Sequence, residues 1–305
     1  MIGAPSKGRR SHTMRRRRSR KRWWLLIPAF FAVIILFVAY GFGETYWLDV
    51  KEYTFNSPDV PEAFDGTRIA LVTDIHRGPF LSEDRIASLV QRVDGLEPDL
   101  VVLGGDYVYH GTRYAASCFD QLEGLEAPLG VYGVLGNHDY GDYRKGEDGP
   151  NAVIDAMEQA GITMLREDAV WIEKGDERFR LGGVSDASVD RPRFTPTVKG
   201  TTEGDLVVLV SHDPDYSEDL PENAIDLVLS GHTHGGQVTL FGKWAFYIPS
   251  QYGQKYRTGM VDNGLTTVII SNGVGTSTVP PIRLFCRPQI VIITLQHAPS
   301  GGPAD

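Results

Sequence analysis

The chain has 305 residues, enough for one large domain with a tail or for two modest domains. Its charge is uneven, because residues 1–22 hold ten of the 30 Lys and Arg residues and no acidic residue. Without those ten positive charges, the overall net charge of −9 becomes −19 on residues 23–305, which argues against a nucleic-acid-binding surface on the folded part. Residues 1–22 are expected to be a basic, disordered tail.

An uncharged stretch of 20 residues, 23–42, follows the basic tail. As a helix rising about 1.5 Å per residue it would span about 30 Å, the thickness of the hydrocarbon core of a bilayer. Trp23, Trp24 and Tyr40 suit the two membrane interfaces. These features predict an uncleaved transmembrane anchor. A cleaved signal peptide stays open, because Ala39-Tyr40-Gly41 offers a small-x-small cleavage site.

The positive charge before this stretch predicts the membrane topology. Lys and Arg residues are retained on the cytoplasmic side, so the N-terminus is expected inside and the domain outside the cytoplasm of a single-pass membrane protein. The 43–66 segment is expected to be a juxtamembrane connection with one strand near residues 50–55, and a folded domain is expected from 67 to 296.

The predicted domain changes character halfway along the chain. Its first half alternates strands near 69–73, 100–103 and 131–135 with helices near 82–93, 113–125 and 152–160. Its second half is mostly strands, near 169–172, 179–181, 206–210, 227–229, 266–270 and 290–295. This order predicts an α/β fold with two stacked sheets. The polar 297–305 tail is expected to be disordered.

The two cysteines carry little information about function. Cys118 and Cys286 lie far apart, and neither belongs to a Cys-x-x-Cys pattern, so they do not indicate a zinc site. A disulfide between them and a pair of buried free thiols both remain open.

Five apolar runs end in side chains that can bind a metal. In chain order these endings are Asp74-Ile75-His76, Asp106, Asn137-His138-Asp139, His212, and His232 with His234. Any one of them alone could be an ordinary polar turn. Ligands gather at the carboxyl ends of strands in α/β sheets, so the ordered set of five predicts one metal-binding crevice.

The ordered series Asp-x-His, Gly-Asp, Gly-Asn-His-Asp, Ser-His and Gly-His-Thr-His resembles the calcineurin-like metallophosphoesterase family over about residues 67–295. The resemblance implies a four-layer αββα sandwich. The apolar stretch, Gly-Gly-Gln at 235–237 and Pro-Pro-Ile-Arg at 280–283 are similar to the membrane-associated subgroup of that family. Some members of this subgroup hydrolyse UDP-2,3-diacylglucosamine or other phosphodiesters.

The resemblance also implies a role for each site residue. One divalent metal would be held by Asp74, His76 and His234, and a second by Asn137, His212 and His232, with Asp106 bridging the two. Mn, Fe, Zn and Ni all suit such a set of N and O ligands, so the metal stays open.

Three further residues receive roles beside the metals. His138 is expected to act as a general acid or transition-state partner, and Asp139 to orient its imidazole. Arg77 could contact a substrate phosphate or be an ordinary surface arginine, and Arg257 and Arg283 are weaker candidates for the same contact.

Tyr109 is one departure from the pattern. In purple acid phosphatases a tyrosine three residues after the bridging aspartate binds ferric iron, and Tyr109 stands three residues after Asp106. Those enzymes do not use a histidine at the position that His76 fills here. Tyr109 is therefore expected to be a packing residue.

Together these inferences predict a membrane-anchored, dinuclear-metal phosphoesterase that hydrolyses phosphate ester, phosphodiester or pyrophosphate bonds. The anchor suggests a lipid-linked substrate such as UDP-2,3-diacylglucosamine, although members that make lipid A precursors need cytoplasmic substrates, against the predicted topology. No nucleic-acid partner is expected, and the oligomeric state is open. A catalytically silent scaffold that binds a partner at the membrane is the main alternative. An amide-cleaving metallohydrolase is a further one, but the His-x-His-x-Asp-His pattern of metallo-β-lactamase-like enzymes is absent.

Overall fold

The computed structural model of the chain describes residues 23–141 and 149–299, and the two predicted tails at 1–22 and 300–305 lie outside them. The chain divides into two units, one ending at Ala39 and one beginning at Tyr40. The helix α1 (Trp23–Glu44) ends two residues beyond the predicted stretch. Within the described residues it is the one helix long and apolar enough to cross a membrane, a criterion that a signal sequence also meets.

The described part of the second unit contains four more α-helices and fourteen strands. The helices are α2 (Glu83–Asp94), α3 (Ala115–Leu122), α4 (Asn151–Gln159) and the short α5 (Thr195–Val198). The strands of the first half are β1 (Asp49–Ser57), β2 (Arg68–Val72), β3 (Leu100–Leu103), β4 (Val131–Gly133), β5 (Thr163–Met164), β6 (Asp168–Lys174) and β7 (Glu177–Gly183). Those of the second half are β8 (Val207–Val210), β9 (Leu227–Ser230), β10 (Thr239–Leu240), β11 (Trp244–Ala245), β12 (Gly259–Asp262), β13 (Thr267–Ile270) and β14 (Gln289–His297).

Twelve of these strands form two sheets of six. The first has the order β1-β14-β2-β3-β4-β5, in which β2 to β5 are parallel and β14 runs antiparallel to β2. The second has the order β12-β13-β9-β8-β7-β6, with four parallel strands between antiparallel edges. The remaining pair, β10 and β11, forms a separate hairpin.

Alternating side chains divide the domain into four layers. In β2, Ala70 and Val72 pack in one buried cluster with α2, α3 and α4, while Ile69 and Leu71 pack in a second cluster against the other sheet. Such strands are buried on both faces, which is why they read as continuous apolar runs. The outer face of the second sheet is covered by α5 and by a 3-10 segment, Pro214–Asp219. The four-layer αββα architecture is therefore confirmed, with short turns in place of long helices on one side.

Local sequence explains the start of α2 only in part. Ser82 occupies the N-cap position, and Glu83 and Asp84 lie in the first turn, where the helix dipole favours negative charge. The side chain of Ser82 makes no capping hydrogen bond, contrary to the expectation for a serine cap.

The strand predicted near residues 50–55 is present as β1 (Asp49–Ser57). The predicted juxtamembrane connection contributes β1, which pairs in parallel with β14 along its whole length. That pairing extends β14 through His297, beyond the predicted end of the folded domain. Both cysteines are free and buried.

Candidate active site

Loops at the carboxyl ends of parallel strands in both sheets bring the predicted ligands together. Asp74, Asp106 and Asn137 follow β2, β3 and β4 of the first sheet. His212 and His232 follow β8 and β9 of the second. The two sheets stack face to face, so these loops meet at one end of the sandwich.

The first group of potential ligands is buried. It comprises Asp74, His76, Asp106 and His234, and one ligand atom from each lies within 4.8 Å of the others. The Nε2 atoms of His76 and His234 are 3.0 Å apart. The same His234 nitrogen is 3.2 Å from Oδ1 of Asp74. Two ring nitrogens and two carboxylate groups therefore face a common point.

The second group lies directly beside the first. Asp186, His212 and His232 also place one ligand atom each within 4.8 Å of one another. Oδ1 of Asn137 is 3.1 Å from Nδ1 of His232, which brings the predicted asparagine to this group. Oδ2 of Asp106 stands between the groups, 3.2 Å from Nε2 of His212 and 3.5 Å from Nε2 of His76.

Two buried polar atoms at this point fit metal ions. Nε2 of His212 and Oδ2 of Asp186 are buried there without a hydrogen-bond partner among the described residues. Unsatisfied buried polar atoms are costly, so their concentration here calls for a ligand. Imidazole and carboxylate donors without cysteine suit Mn²⁺, Fe, Zn²⁺ or Ni²⁺. The donor set fits two divalent cations and leaves their identity open.

The backbone of the site is strained. Five of its residues have left-handed φ angles: Asp74 (55°), His76 (51°), Asp106 (57°), His232 (66°) and His234 (51°). Such conformations cost roughly 1–3 kcal/mol each in non-glycine residues and cluster at functional sites. Two glycines make room for this geometry, because a Cβ at Gly136 would collide with Asp106 and one at Gly231 with Asp74.

Burial sets the protonation of the histidines. It lowers the pKa of His76 and of His234 well below the usual value, which keeps both imidazoles neutral and able to bind a metal. Burial also raises the pKa of Asp74 to about 6. Burial opposes the charged forms of Asp106 and His212 as well, but their mutual attraction outweighs it, so the pKa of Asp106 is lowered and that of His212 is raised. In the metal-free chain these two form a buried ion pair.

Asp139 does not hold His138, contrary to the prediction. Its carboxylate accepts backbone N–H groups from Asp106 at 2.8 Å, Tyr107 at 2.8 Å and Gly136 at 2.9 Å. These bonds occupy both oxygens and fix the loop that carries Asp106. Asp139 therefore fits a loop-positioning residue.

His138 lies at the half-buried rim of the site. Its ring centroid is 4.7 Å from that of His76, and its backbone N–H donates to Oδ1 of Asp106 at 2.8 Å. The ring of Tyr109 stacks on His138 at 6.1 Å and packs edge-on against Phe80 at 5.8 Å, as expected of a packing residue.

Arg77, for which a substrate contact and an ordinary surface position were both open, is held by hydrogen bonds to nearby protein groups. Its guanidinium donates to Glu83 at 2.6 Å and to the carbonyl oxygens of Gly78 at 2.8 Å and Leu81 at 3.2 Å. These bonds hold the loop between β2 and α2, so the role of Arg77 is structural.

The other two arginines also bind backbone. Arg257 donates to the carbonyl oxygens of Gly235 and Gly242. Arg283 is fully buried behind the first group, where one guanidinium nitrogen is 3.4 Å from Nδ1 of His234. Both arginines support the loop that carries His234.

Asp186 is the site residue that sequence reasoning missed. It is fully buried and lies three residues after the end of β7, the position that Asp106 occupies after β3. The signal was present, since Phe179 to Leu181 was predicted as a strand. It was overlooked because Gly182-Gly183-Val184-Ser185 separates that strand from the carboxylate.

Replacing Asp186 by Asn is expected to weaken binding of the second cation about 10-fold, within the range of roughly 10–100-fold typical of lost outer-shell support. Titration of metal-stripped protein with Mn²⁺, followed by calorimetry, checks this. Asp190→Asn is the matched control, because that carboxylate pairs with Arg166 instead. Unchanged affinity for both cations in Asp186→Asn would rule out a contribution from this carboxylate.

Two facing sheets that converge on buried aspartates and histidines form a site suited to divalent metal ions. The model of the calcineurin-like phosphoesterase family matches residues 67–236, more than half of the chain. The chain belongs to this family and is a metal-dependent phosphoric ester hydrolase.

Three relatives show the range of the family around this chain. An Aquifex aeolicus metallophosphoesterase is 31% identical over 87% of this chain and 98% of its own length. Phosphodiesterase YaeI of Escherichia coli is 29% identical over 75% of this chain and 82% of its own length. A Danio rerio protein named as a transmembrane protein with a metallophosphoesterase domain is 28% identical over 78% of this chain and 55% of its own length.

Proposed function

We propose that this chain is a membrane-anchored phosphoesterase that uses two divalent cations to hydrolyse phosphodiester bonds, with phosphate monoesters and pyrophosphates as related substrates. The observation that carries the proposal is the position of Asp106 between two groups of buried ligands. The name of the YaeI relative favours diesters.

The cations and the protein side chains would have different roles in hydrolysis. Two divalent cations, when bound, would supply positive charge against the ester and an acidified water as nucleophile. Asp74, His76 and His234 would hold one, Asn137, His212 and His232 the other, with Asp106 shared and Asp186 supporting the second. His138 is not assigned as a metal ligand, because it lies at the rim of the site with its ring beside that of His76. Its imidazole would donate a proton to the leaving oxygen.

Replacing His138 by Gln is expected to lower turnover by roughly 10²–10⁴-fold, the usual contribution of a general acid, with metal content unchanged. The full chain in detergent would be stripped of metal and reloaded with Mn²⁺. Hydrolysis of bis(p-nitrophenyl) phosphate and p-nitrophenyl phosphate would then be compared, with His297→Gln as control. Two bound cations without turnover of either ester would favour the alternative, a catalytically silent scaffold at the membrane.

A cavity beside the site supports a lipid-linked substrate. Its volume is about 200 Å³, and His76 lines it together with Phe42, Tyr46, Phe80 and Pro281. Phe42 belongs to the last turns of α1, so the apolar wall connects the metal ligands with the end of the proposed anchor. Equal turnover of a short-chain and a long-chain phosphodiester would argue against an acyl chain in this cavity.

We also propose that the chain lies in the cell membrane, with its N-terminus in the cytoplasm and its catalytic domain outside. The basic residues before α1 motivate this topology. A reporter fused after residue 305 that is active only outside the cytoplasm would support it, and activity only inside would reverse it.

A further inference from the structure

The hairpin formed by β10 and β11 carries a cluster of exposed aromatic and apolar side chains. Leu240, Phe241, Trp244, Phe246 and Tyr247 are between 47% and 73% exposed. Lys243 is the one charged residue between 239 and 247. Contiguous exposed apolar surface of this kind marks an interaction site. We call residues 239–247 the aromatic hairpin.

The turn at the tip of the aromatic hairpin places a phenylalanine in a backbone conformation that this residue type disfavours. Phe241 and Gly242 have φ angles of 53° and 73°, and the N–H of Lys243 donates to the carbonyl oxygen of Leu240 at 3.1 Å. Two successive positive φ angles describe a type I′-like turn, in which Asn-Gly is the favoured pair. A bulky phenylalanine is disfavoured there. The residue is 70% exposed, so packing within the domain covers only part of it.

The hairpin is fixed to the point where α1 joins the domain. The ring of Phe241 packs on Phe285 at 5.5 Å, and Phe285 packs on Tyr40 at 5.6 Å. The Glu44 carboxylate accepts the N–H groups of Phe285 at 2.8 Å and Cys286 at 2.7 Å. The last turn of α1 and the aromatic hairpin therefore share one supporting loop within the second unit.

We propose that the aromatic hairpin lies in the boundary between headgroups and acyl chains of the bilayer that α1 spans, so that the domain meets the membrane at a second point. The inference rests on the proposed membrane anchor. Tryptophan, tyrosine and phenylalanine side chains favour this boundary. The domain is acidic overall, but Lys243 and Arg287 could attract anionic headgroups. The Arg287 guanidinium lies 5.2 Å from the centre of the Trp47 ring.

Docking of the aromatic hairpin on the bilayer would fix the orientation of the active site relative to the membrane. Tyr46 and Trp47 follow the end of α1 and are 68% and 50% exposed, so they extend the same aromatic surface. The cavity that His76 lines is also lined by Tyr46 and Phe42. A bilayer in contact with the aromatic hairpin would thus lie on the side of the domain where this cavity is built.

The test places a fluorescent probe on the hairpin of the full chain in lipid nanodiscs. Phe246→Cys would be labelled with an environment-sensitive NBD group, and Glu203→Cys, at the amino end of β8, is the control position. Cys118 and Cys286 are buried, and wild type treated with the same thiol reagent measures any reaction at them. Nanodiscs of phosphatidylcholine with and without doxyl-labelled lipid report contact with the bilayer.

We expect doxyl lipid to quench the probe at residue 246 roughly two-fold or more, since interfacial side chains sit about 5–10 Å into the headgroup–acyl boundary, and to leave the probe at 203 unchanged. The same probe in a Phe241→Ser, Trp244→Ser background should lose most of this quenching. A bright, blue-shifted probe at 246 that doxyl lipid does not quench would overturn the proposal, because it would place the hairpin against protein. Failure of the chain to enter nanodiscs would instead contradict the anchor itself.

Discussion

Asp106→Asn is expected to abolish phosphoesterase activity while leaving the chain folded. The loss should exceed the roughly 10–100-fold that follows removal of an outer-shell partner, because Asp106 faces both ligand groups. Its Oδ2 is 3.2 Å from His212 and 3.5 Å from His76, closer to both imidazoles than Oδ1 of Asp74, which is 4.0 Å from each. An amide has almost the same shape as the carboxylate but lacks its charge. It would leave two cations close together without a shared anion.

The measurement pairs turnover with metal content. Mn²⁺-reloaded Asp106→Asn should hydrolyse bis(p-nitrophenyl) phosphate at background rate and retain fewer than two cations after dialysis. Asp120→Asn, on the exposed face of α3, is the matched control and should behave as wild type. The metal-free variant should be less stable than wild type, since removing one partner of the buried Asp106–His212 ion pair leaves the other charge uncompensated. Two retained cations and normal turnover would show that Asp106 is not shared.

The ligand positions could be predicted because they depend on short-range features of the sequence. Strands β2, β3, β8 and β9 are buried on both faces and read as continuous apolar runs. The end of such a run therefore locates the edge of a sheet, where the chemistry collects. The structure brings all seven predicted ligands together at that edge. Asp186 obeys the same rule, but its strand was predicted to end at Leu181, two residues before the actual end of β7 at Gly183, which hid the carboxylate.

The roles of the supporting residues could not be predicted, because they depend on contacts between distant parts of the chain. Asp139 is adjacent to His138, which suggested a local role, yet its carboxylate holds the loop that begins 33 positions earlier at Asp106. Arg77 follows His76, yet the left-handed φ of His76 redirects the chain and the guanidinium meets Glu83. Adjacency in sequence gives no information on the direction of side chains in such strained loops.

The fold shows the same division between local and distant information. The strands and helices of the first half were predictable from their apolar periodicity. The place of β1 was not, because its pairing with β14 joins Asp49 to Gln289 across nearly the whole domain. Short elements such as β10 and β11 have two residues each, too few to show a period.

Arg283→Met is expected to be the most destabilising of these substitutions, because it removes the donor for a set of buried carbonyl oxygens. The guanidinium donates to Gly275 at 2.5 Å, Asn272 at 2.8 Å and Cys286 at 3.2 Å. Methionine fills similar space without donors, and each unsatisfied buried group costs about 1–3 kcal/mol, so the free energy of unfolding should fall by roughly 3–5 kcal/mol. Urea denaturation of the full chain in detergent, followed by tryptophan fluorescence, measures this change.

Arg283→Met should also weaken metal binding at the active site. Arg283 contacts both the backbone oxygen and Nδ1 of His234 at 3.4 Å, so its loss frees the loop that presents this ligand. We expect weaker binding of the first cation at urea concentrations where the variant is still folded. Arg287→Met is the matched control, since its exposed guanidinium lies over Trp47 and should contribute only about 0.5–1 kcal/mol. Equal stability of the two variants would mean that the buried carbonyl oxygens find other hydrogen-bond donors. Arg283 would then not be needed to hold the loop that carries His234.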